Sequence, residues 1–311
     1  MSAPDAAIAD RAAGALLGVA AGDALGVPYE YGSRPLTGAP QMLGGGLGDY
    51  APGQWSDDTE MTCVLARVAA TGADLRAPGA LDAVADGFLA WYASGPRDVG
   101  IQTRGVLARV EPGPGSAARL RGTAAELHRE RGRSAGNGSL MRTAPVALAH
   151  LGDPDAIVEA AHAVSALTHH DPVAGEACAL WCLAIDHAVR TGVADLQVGL
   201  PRLDPQWTRW LDESPYQPPG AFGANNGWVV AALFGAWSAV ERATSFEDGV
   251  VAAVGGGGDT DTVAAIAGAL LGARFGASGI PRRYRDAVHG WPGLRAGDLT
   301  GLAGRVVGTH R

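Results

Sequence analysis

The sequence predicts an all-α protein, a compact orthogonal array of many helices. Two patterns predict this fold class. Apolar and alanine residues recur with a 3.6-residue period along most of the chain, and few segments alternate Val, Ile or Thr with polar residues as strands do. The composition, 47% hydrophobic and 18% charged over 311 residues, is typical of a soluble globular protein with a large core.

The predicted helices follow one another from the N-terminus. The first shows the pattern clearly, because Ile8, Ala12 and Ala15 fall at the i, i+4 and i+7 positions of one helix face. The helical periodicity predicts helices over residues 6–25, 60–70, 81–93, 102–110, 117–131, 141–150, 154–166, 173–190, 226–243, 246–254 and 262–275.

Glycines at four-residue spacing indicate helix faces that pack closely. Gly14, Gly18 and Gly22 share one face of the first predicted helix, and Gly268 and Gly272 share one face of the last. The first series resembles a membrane packing motif, but its polar flanks favour tight packing inside a soluble protein.

No change of composition divides the chain, so we predict a single domain over residues 1–311. Within it, 201–223 is rich in Pro and contains Trp207, Trp210 and Tyr216. This composition predicts an irregular insertion or flap.

Charge and cysteine content limit the possible functions. A net charge of −8 argues against a nucleic-acid or membrane-surface partner. The three cysteines lie inside apolar helical patterns, which indicates reduced core thiols. The N-terminus lacks a basic region, and no uncharged run is long enough to cross a bilayer. We therefore expect a cytoplasmic monomer.

The most informative segment is Gly-Gly-Gly-Gly-Asp-Thr-Asp-Thr at 255–262, directly before an apolar helical run. A second acidic segment, Ser-Asp-Asp-Thr at 56–59, also precedes such a run. Glycines permit a turn in which Asp259 and Asp261 face one ion, whereas residues two apart on a helix point away from each other. Oxygen ligands without His or Cys favour Mg²⁺, Mn²⁺ or Ca²⁺. Ser-Asp-Asp-Thr alone is more often a helix cap.

Charge counting favours two ions. The aspartates of the two segments contribute up to −4, and Glu30 brings the sum to −5. Two divalent ions about 3.5–4 Å apart nearly neutralise this charge. Their mutual repulsion, on the order of 17 kcal/mol at an effective dielectric constant near 20, requires a cluster of this density.

Five motifs in chain order carry a family resemblance. They are Gly-Asp-Ala-Leu-Gly-Val-Pro-Tyr-Glu (22–30), Trp-Ser-Asp-Asp-Thr (55–59), Gly-Asn-Gly-Ser-Leu-Met-Arg (136–142), Thr-His-His-Asp-Pro (168–172) and the glycine-rich segment at 255–262. Together they resemble the ADP-ribosylglycohydrolase family, the relatives of dinitrogenase-reductase-activating glycohydrolase, over nearly the whole chain. The resemblance implies an all-helical fold, two Mg²⁺ or Mn²⁺ ions, and removal of ADP-ribose from modified side chains or related conjugates.

The resemblance also assigns metal and catalytic residues. The implied metal ligands are Ser56, Asp57, Asp58, Asp259, Asp261 and Thr262. Ser56 stands where the family usually has Thr, and the missing methyl loosens that ligand. Glu30 matches the family's metal-proximal acid, although a Glu after Pro-Tyr is by itself more often a solvated loop charge. Glu30 and Asp58 are the predicted catalytic residues.

Substrate contacts follow from the remaining matches. The implied contacts are Asp98, Val99 and Gly100 in the loop around the diphosphate, Asn137, Gly138, Ser139 and Met141 at the ribose, His169 on the ADP-ribose, and Trp228 against the nucleotide. As bare sequence the first loop is only a turn, a lone His beside Pro is usually structural, and a Trp belongs as readily to the core.

The predicted reaction is metal-assisted hydrolysis at C1″ of an ADP-ribose conjugate, with an ADP-ribosylated protein or a small conjugate as partner. ADP-ribosyl-arginine is the first candidate, because Asp98 can pair with a guanidinium leaving group. Alternatives are serine-linked, O-acetyl or nucleoside conjugates, and a homologue that binds ADP-ribose without turnover. The sequence leaves the leaving group, the choice of Mg²⁺ or Mn²⁺ and the oligomeric state open.

Overall fold

Helices account for nearly all regular structure in the computed structural model, which describes residues 3–214 and 217–309. In chain order the helices are α1 (Ala3–Gly26), α2 (Asp57–Ala69), α3 (Pro78–Ala93), α4 (Ile101–Leu107), α5 (Ser116–Arg131), α6 (Ala144–Ala149), α7 (Pro154–Ser165), α8 (Pro172–Thr191), α9 (Gln206–Glu213), α10 (Val229–Arg242), α11 (Phe246–Gly255), α12 (Thr260–Phe275), α13 (Arg282–Ala287) and α14 (Ala296–Thr309). Residues His289–Gly290 (β1) and Leu294–Arg295 (β2) pair antiparallel between the last two helices. The all-α prediction is confirmed.

The centre of the core is the pair of helices α1 and α12. Every residue of α12 from Thr260 to Ala273 is buried, so this helix is surrounded by protein on all sides. The stretch Ala6–Gly32 has the length and composition of a membrane-spanning helix, but 94% of its apolar window is buried inside the protein. Its apolar character therefore belongs to the core.

The backbones of α1 and α12 touch along a row of small residues, which we call the glycine seam (Gly14, Gly18, Gly22 and Gly26 of α1). A Cβ on Gly18 would lie 2.0 Å from the carbonyl oxygen of Gly268, and one on Gly26 would lie 2.4 Å from Cα of Asp261. No side chain fits in this space. The close packing predicted from the glycine spacing is confirmed, and the seam continues into the acidic start of α12.

The sequence predicted an irregular segment over 201–223, but part of this segment is helical. It contains α9, which buries Trp207 in the core and places Trp210 edge-on against it at 5.1 Å between ring centroids. The prolines around it argued against a helix in the sequence, although the apolar residues of α9 follow the i, i+3, i+4 spacing. Tyr216 lies outside the described residues.

The C-terminal elements α13, β1, β2 and α14 were not predicted. Helix α14 buries Leu299, Leu302 and Val306 against α1, α2 and α6. The β1–β2 hairpin holds the segment before α2, because Trp55 donates from its backbone N–H to His289 (3.1 Å) and from Nε1 to the carbonyl oxygen of Trp291 (3.1 Å). The hairpin thus fixes the entrance to the first acidic segment.

Candidate active site

The N-termini of α2 and α12 meet beside a cavity of about 450 Å³. The 3-10 helix Val27–Gly32 and the loops around 98–100 and 136–138 complete its wall. Predicted site residues on this wall are Glu30, Asp57, Asp98, Val99, Gly100, Asn137, Gly138, Met141, His169, Asp259, Asp261 and Thr262. We call this space the acidic cavity.

A tight turn brings the aspartates of the glycine-rich segment to the same side. Gly257 and Gly258 have φ of 72° and 70°, a conformation that favours glycine. Asp259 is the N-cap residue of α12 but makes no capping bond with its side chain, and Asp261 lies in the first turn of the helix. Both can place a carboxylate oxygen within 4.8 Å of one from Glu30. The turn therefore brings Asp259 and Asp261 together with Glu30, which lies far earlier in the chain.

Two amide side chains hold Asp259 in place. Asn226 Oδ1 accepts the backbone N–H of Asp259 at 2.9 Å, and Asn137 Nδ2 donates to Asp259 Oδ2 at 2.8 Å. The hydroxyl of Tyr31 donates to the same oxygen at 3.3 Å. Tyr31 itself has φ of 44°, and its N–H donates to the carbonyl oxygen of Gly258 at 2.7 Å. The Glu30 turn and the Asp259 turn are thus bonded to each other.

Asp23 on α1 organises the start of α2. Its Oδ1 accepts the N–H and the hydroxyl of Ser56 at 2.9 and 2.8 Å, and its Oδ2 accepts the N–H and the hydroxyl of Thr59 at 3.0 and 2.5 Å. Sequence reasoning quoted Asp23 only as part of a motif. The sequence did carry a signal, because Asp23 is a lone carboxylate inside an apolar helical run. The structure buries it fully, and a buried carboxylate needs hydrogen-bond partners.

Ser56 and Asp58 lie just behind the cavity wall. The Ser56 hydroxyl is 2.8 Å from both Asp23 Oδ1 and Asp58 Oδ2, so one proton is shared between two carboxylates. Among the described residues, Asp58 Oδ1 finds no hydrogen-bond partner although it is fully buried. Asp23, Asp58 and Asp261 form a second group whose oxygens can come within 4.8 Å of one another. Asp261 belongs to both groups.

Burial and mutual repulsion raise the pKa values of the acidic groups in the cavity. Burial, followed by the charges of Asp259 and Asp98, raises the pKa of Glu30 to about 9. The pKa values of Asp57, Asp58 and Asp261 are also well above their usual range, with burial as the largest cause and neighbouring carboxylates next. Such a cluster holds protons at neutral pH unless cations replace them.

The 98–100 loop and His169 form another part of the cavity wall. Backbone N–H groups of the 98–100 loop bond to carboxylates, with Val99 N–H donating to Asp98 Oδ1 at 2.7 Å and Gly100 N–H to Asp57 Oδ2 at 3.4 Å. The His169 ring faces the 136–138 loop, since a Cβ on Gly138 would lie 3.3 Å from Nε2. Burial, and then the charge of Arg142, lowers the pKa of His169 to about 3, so the ring is neutral.

Two predicted substrate contacts do not lie on the cavity wall. The Ser139 hydroxyl oxygen accepts a hydrogen bond from the Ser165 hydroxyl at 2.9 Å and is buried, because the 3-10 turn Asn137–Ser139 directs it into the core. Trp228 packs edge-on against Trp210 at 6.0 Å, and its neighbour Gly227 lines the cavity instead. The contacts predicted for Ser139 and Trp228 stay predictions, since motif matching does not give side-chain direction.

The arrangement gathers buried carboxylates at one cavity, and comparison with known proteins decides the family. The ADP-ribosylglycohydrolase family model matches residues 4–311. The chain belongs to the ADP-ribosylglycohydrolase family. It is therefore an enzyme, and the family resemblance seen in its motifs is confirmed.

Characterised members of the ADP-ribosylglycohydrolase family resemble this chain over most of its length. The ADP-ribosyl-[dinitrogen reductase] glycohydrolase of Rhodospirillum rubrum is 32% identical over 88% of each chain. The ADP-ribosylarginine hydrolase Tri1 of Pseudomonas putida is 30% identical over 90% of this chain and 74% of that protein. A solved structure described as an ADP-ribosylglycohydrolase-related protein complex superposes with a TM-score of 0.75 at 29% identity, covering 98% of this chain and 99% of the other.

Proposed function

We propose that the enzyme hydrolyses the glycosidic bond at C1″ of an ADP-ribose conjugate, with ADP-ribosyl-arginine on a protein as its main substrate, and releases ADP-ribose. The observation that carries the proposal is the position of Asp261 in two groups of buried carboxylates on one cavity. Two of the similar proteins are named for ADP-ribosyl-dinitrogen reductase and ADP-ribosylarginine, which supports this substrate class.

The donor set fits a pair of divalent cations, Mg²⁺ or Mn²⁺. Hard oxygen ligands suit these ions, and Asp58 Oδ1 is a buried oxygen without a partner in the described part of the chain. Glu30, Ser56, Asp58, Asp259 and Asp261 would hold the ions, and Asp261 belongs to both groups of carboxylate oxygens. Bound cations supply positive charge to the sugar hydroxyls and to the reacting water.

Asp57 and Thr262, on the wall beside these groups, complete the predicted metal set. Asp23 orients this set from behind, because all four of its hydrogen bonds go to Ser56 and Thr59. Residues that orient ligands in this way change metal affinity without touching the metal.

Glu30 is the group suited to proton transfer. It lies on the cavity wall, and burial beside Asp259 raises its pKa to about 9. A nearby cation lowers that pKa, so Glu30 can take a proton from water and return it to the departing group. Asp98, also on the wall, offers a carboxylate to a guanidinium leaving group.

The deciding experiment measures free ADP-ribose released from an ADP-ribosyl-arginine protein with Mg²⁺, with Mn²⁺ and with chelator. Serine-linked ADP-ribose and O-acetyl-ADP-ribose serve as competing substrates. We expect the arginine conjugate to be cleaved fastest and the chelator to abolish turnover. Preference for another conjugate would reassign the leaving group, and metal-independent turnover would remove the cation pair.

A further inference from the structure

A cation is buried behind the acidic cavity. Arg142 is fully buried, and its guanidinium lies 4.4 Å from the ring centroid of Phe88. Its Nη2 donates to Thr168 Oγ1 at 2.7 Å, and its Nη1 lies 3.5 Å from the sulfur of Met61. Burial lowers the pKa of Arg142 to about 10, so it remains charged at neutral pH.

Thr168 connects this cation to the histidine on the cavity wall. Its hydroxyl is fully buried and lies 2.8 Å from Nδ1 of His169. Within the described part of the chain, its polar partners are Arg142 and His169. A guanidinium can only donate, so Thr168 Oγ1 accepts from Arg142. The one hydroxyl proton is then directed to Nδ1 of His169.

This direction determines the tautomer of His169. Because Nδ1 accepts from Thr168, the ring proton of the neutral histidine is on Nε2. That nitrogen faces the cavity between two glycines, since a Cβ on Gly136 or Gly138 would lie 3.4 or 3.3 Å from it. The reverse tautomer would leave the Thr168 hydroxyl proton buried without an acceptor.

We propose that Arg142 and Thr168 are positioning residues that hold His169 as the Nε2–H tautomer, so that the cavity presents a neutral donor to an oxygen of the ADP-ribosyl group. The tautomer follows from the hydrogen bonds alone. The identity of the acceptor rests on the proposed function. His169 therefore binds an acceptor without adding charge to the site.

The tautomer is measured first, on the wild-type protein. Nitrogen-15 NMR of the histidine rings distinguishes a protonated Nε2 from a protonated Nδ1, and His169→Gln identifies the signal. We expect Nε2–H in the wild type and in Thr168→Ser, which retains the hydroxyl. In Thr168→Val the signals should show both tautomers. A wild-type ring with its proton on Nδ1 would overturn the proposal.

The same variants are then titrated with ADP-ribose in the presence of Mg²⁺. Thr168→Val should weaken binding about tenfold, the size of one hydrogen bond to a charged group. Thr168→Ser should stay within about twofold of wild type. The matched control is Thr143→Val, which removes a buried hydroxyl beside Arg142 whose partner is Cys182 Sγ at 3.2 Å.

Two outcomes separate this inference from the proposed function. If Thr143→Val weakens binding as much as Thr168→Val and neither alters the tautomer, the positioning role is refuted while the proposed function stands. If the wild type shows Nε2–H but binds no ADP-ribose, the assigned acceptor and the proposed function are both refuted, and the hydrogen-bond relay remains.

Discussion

Asp259 is hydrogen-bonded to three residues around the cavity. It accepts hydrogen bonds from Asn137 and Tyr31, and its backbone N–H is held by Asn226. Asp259→Asn keeps the size of the side chain and its position at the start of α12 but removes the charge. We expect Mn²⁺ affinity to fall more than about 100-fold, beyond the loss usual for residues behind a metal. The free energy of unfolding should change by only about 1 kcal/mol.

Calorimetric titration with Mn²⁺ and thermal unfolding of the metal-free protein test this prediction together. Asp212→Asn, an exposed aspartate on α9, is the control and should leave both measurements unchanged. Equal losses of metal binding and stability in Asp259→Asn would show that Asp259 serves the fold instead.

Arg131 gives the cavity a positive charge at the end of α5. Among the described residues it is the one arginine on the wall, and it is exposed. Arg131→Gln should weaken ADP-ribose binding about threefold to tenfold, because an exposed cation contributes modestly to phosphate binding. The difference should shrink at high salt. Arg133→Gln, also exposed but off the wall, is the matched control, and equal effects of the two changes would contradict the prediction.

Clusters of acidic residues in the sequence indicate where the site lies, but the sequence does not show which way each side chain points. The glycine-rich acidic motif pointed to Asp259, whereas Glu30 was assigned only through the family resemblance, and the structure places both on the cavity wall. Asp23 was missed, since its partners lie 33 and 36 residues further along the chain. Ser139 was placed at the ribose because a motif gives position, and that role stays a prediction, since the turn Asn137–Ser139 sets the direction of the side chain.

At the level of elements, we expect Gly→Ala substitutions to change stability in opposite directions inside and outside the glycine seam. Gly18→Ala adds a methyl where 2.0 Å separates it from the Gly268 carbonyl oxygen, so we expect a loss of about 3 kcal/mol or more in stability. Gly304→Ala makes the same change at an exposed position of α14, where nothing lies within 4 Å of the added methyl. It should stabilise the protein by about 0.5–1 kcal/mol. Urea unfolding measures both, and a tolerated Gly18→Ala would show that the seam can open.

The misses at this scale have a physical explanation. Helix α9 has only two turns, so its periodicity is short and prolines dominate its neighbourhood. Helix α14 carries a readable pattern, since Leu299, Leu302 and Val306 recur at helical spacing, but it lies outside the motif-bearing part of the chain. The β1–β2 hairpin is too short for any alternation to be visible.

The whole molecule responds to pH through its buried carboxyls. The pKa of Glu30 is raised from 4.5 to about 9, and those of Asp57, Asp58 and Asp261 are raised too. A carboxyl with a higher pKa in the folded state stabilises the fold at low pH and loses that contribution as the pH rises. For Glu30 the loss extends from 4.5 to about 9.

We therefore expect the unfolding temperature of the metal-free protein to fall between about pH 5 and pH 8. His169 and His162 act in the opposite direction below 6.5, because burial lowers the pKa of both rings in the folded state, but they are two groups against several. Mn²⁺ should remove most of the decline, since it replaces the protons. Differential scanning calorimetry with and without chelator measures this, and a metal-free protein that grows more stable over this range would contradict it.

The fold class followed from periodicity, but the shape of the whole did not. Helical spacing and glycine rows are local signals, so α1 and α12 were visible in the sequence. Their contact with each other was not, because residues such as Gly22 and Ala264 meet across almost the full length of the chain. The single-domain assignment and the cytoplasmic location stay predictions.

The glycine seam ends where Gly26 of α1 touches the backbone of Asp261 of α12. Helix α1 also carries Asp23, three residues before Gly26. A slip of α1 along α12 by one residue, about 1.5 Å, would separate groups that must meet within ångströms. With the two main chains interlocked, such sliding is blocked short of global melting. Activity and helicity should then be lost over the same temperature range, without an inactive state that keeps its helices.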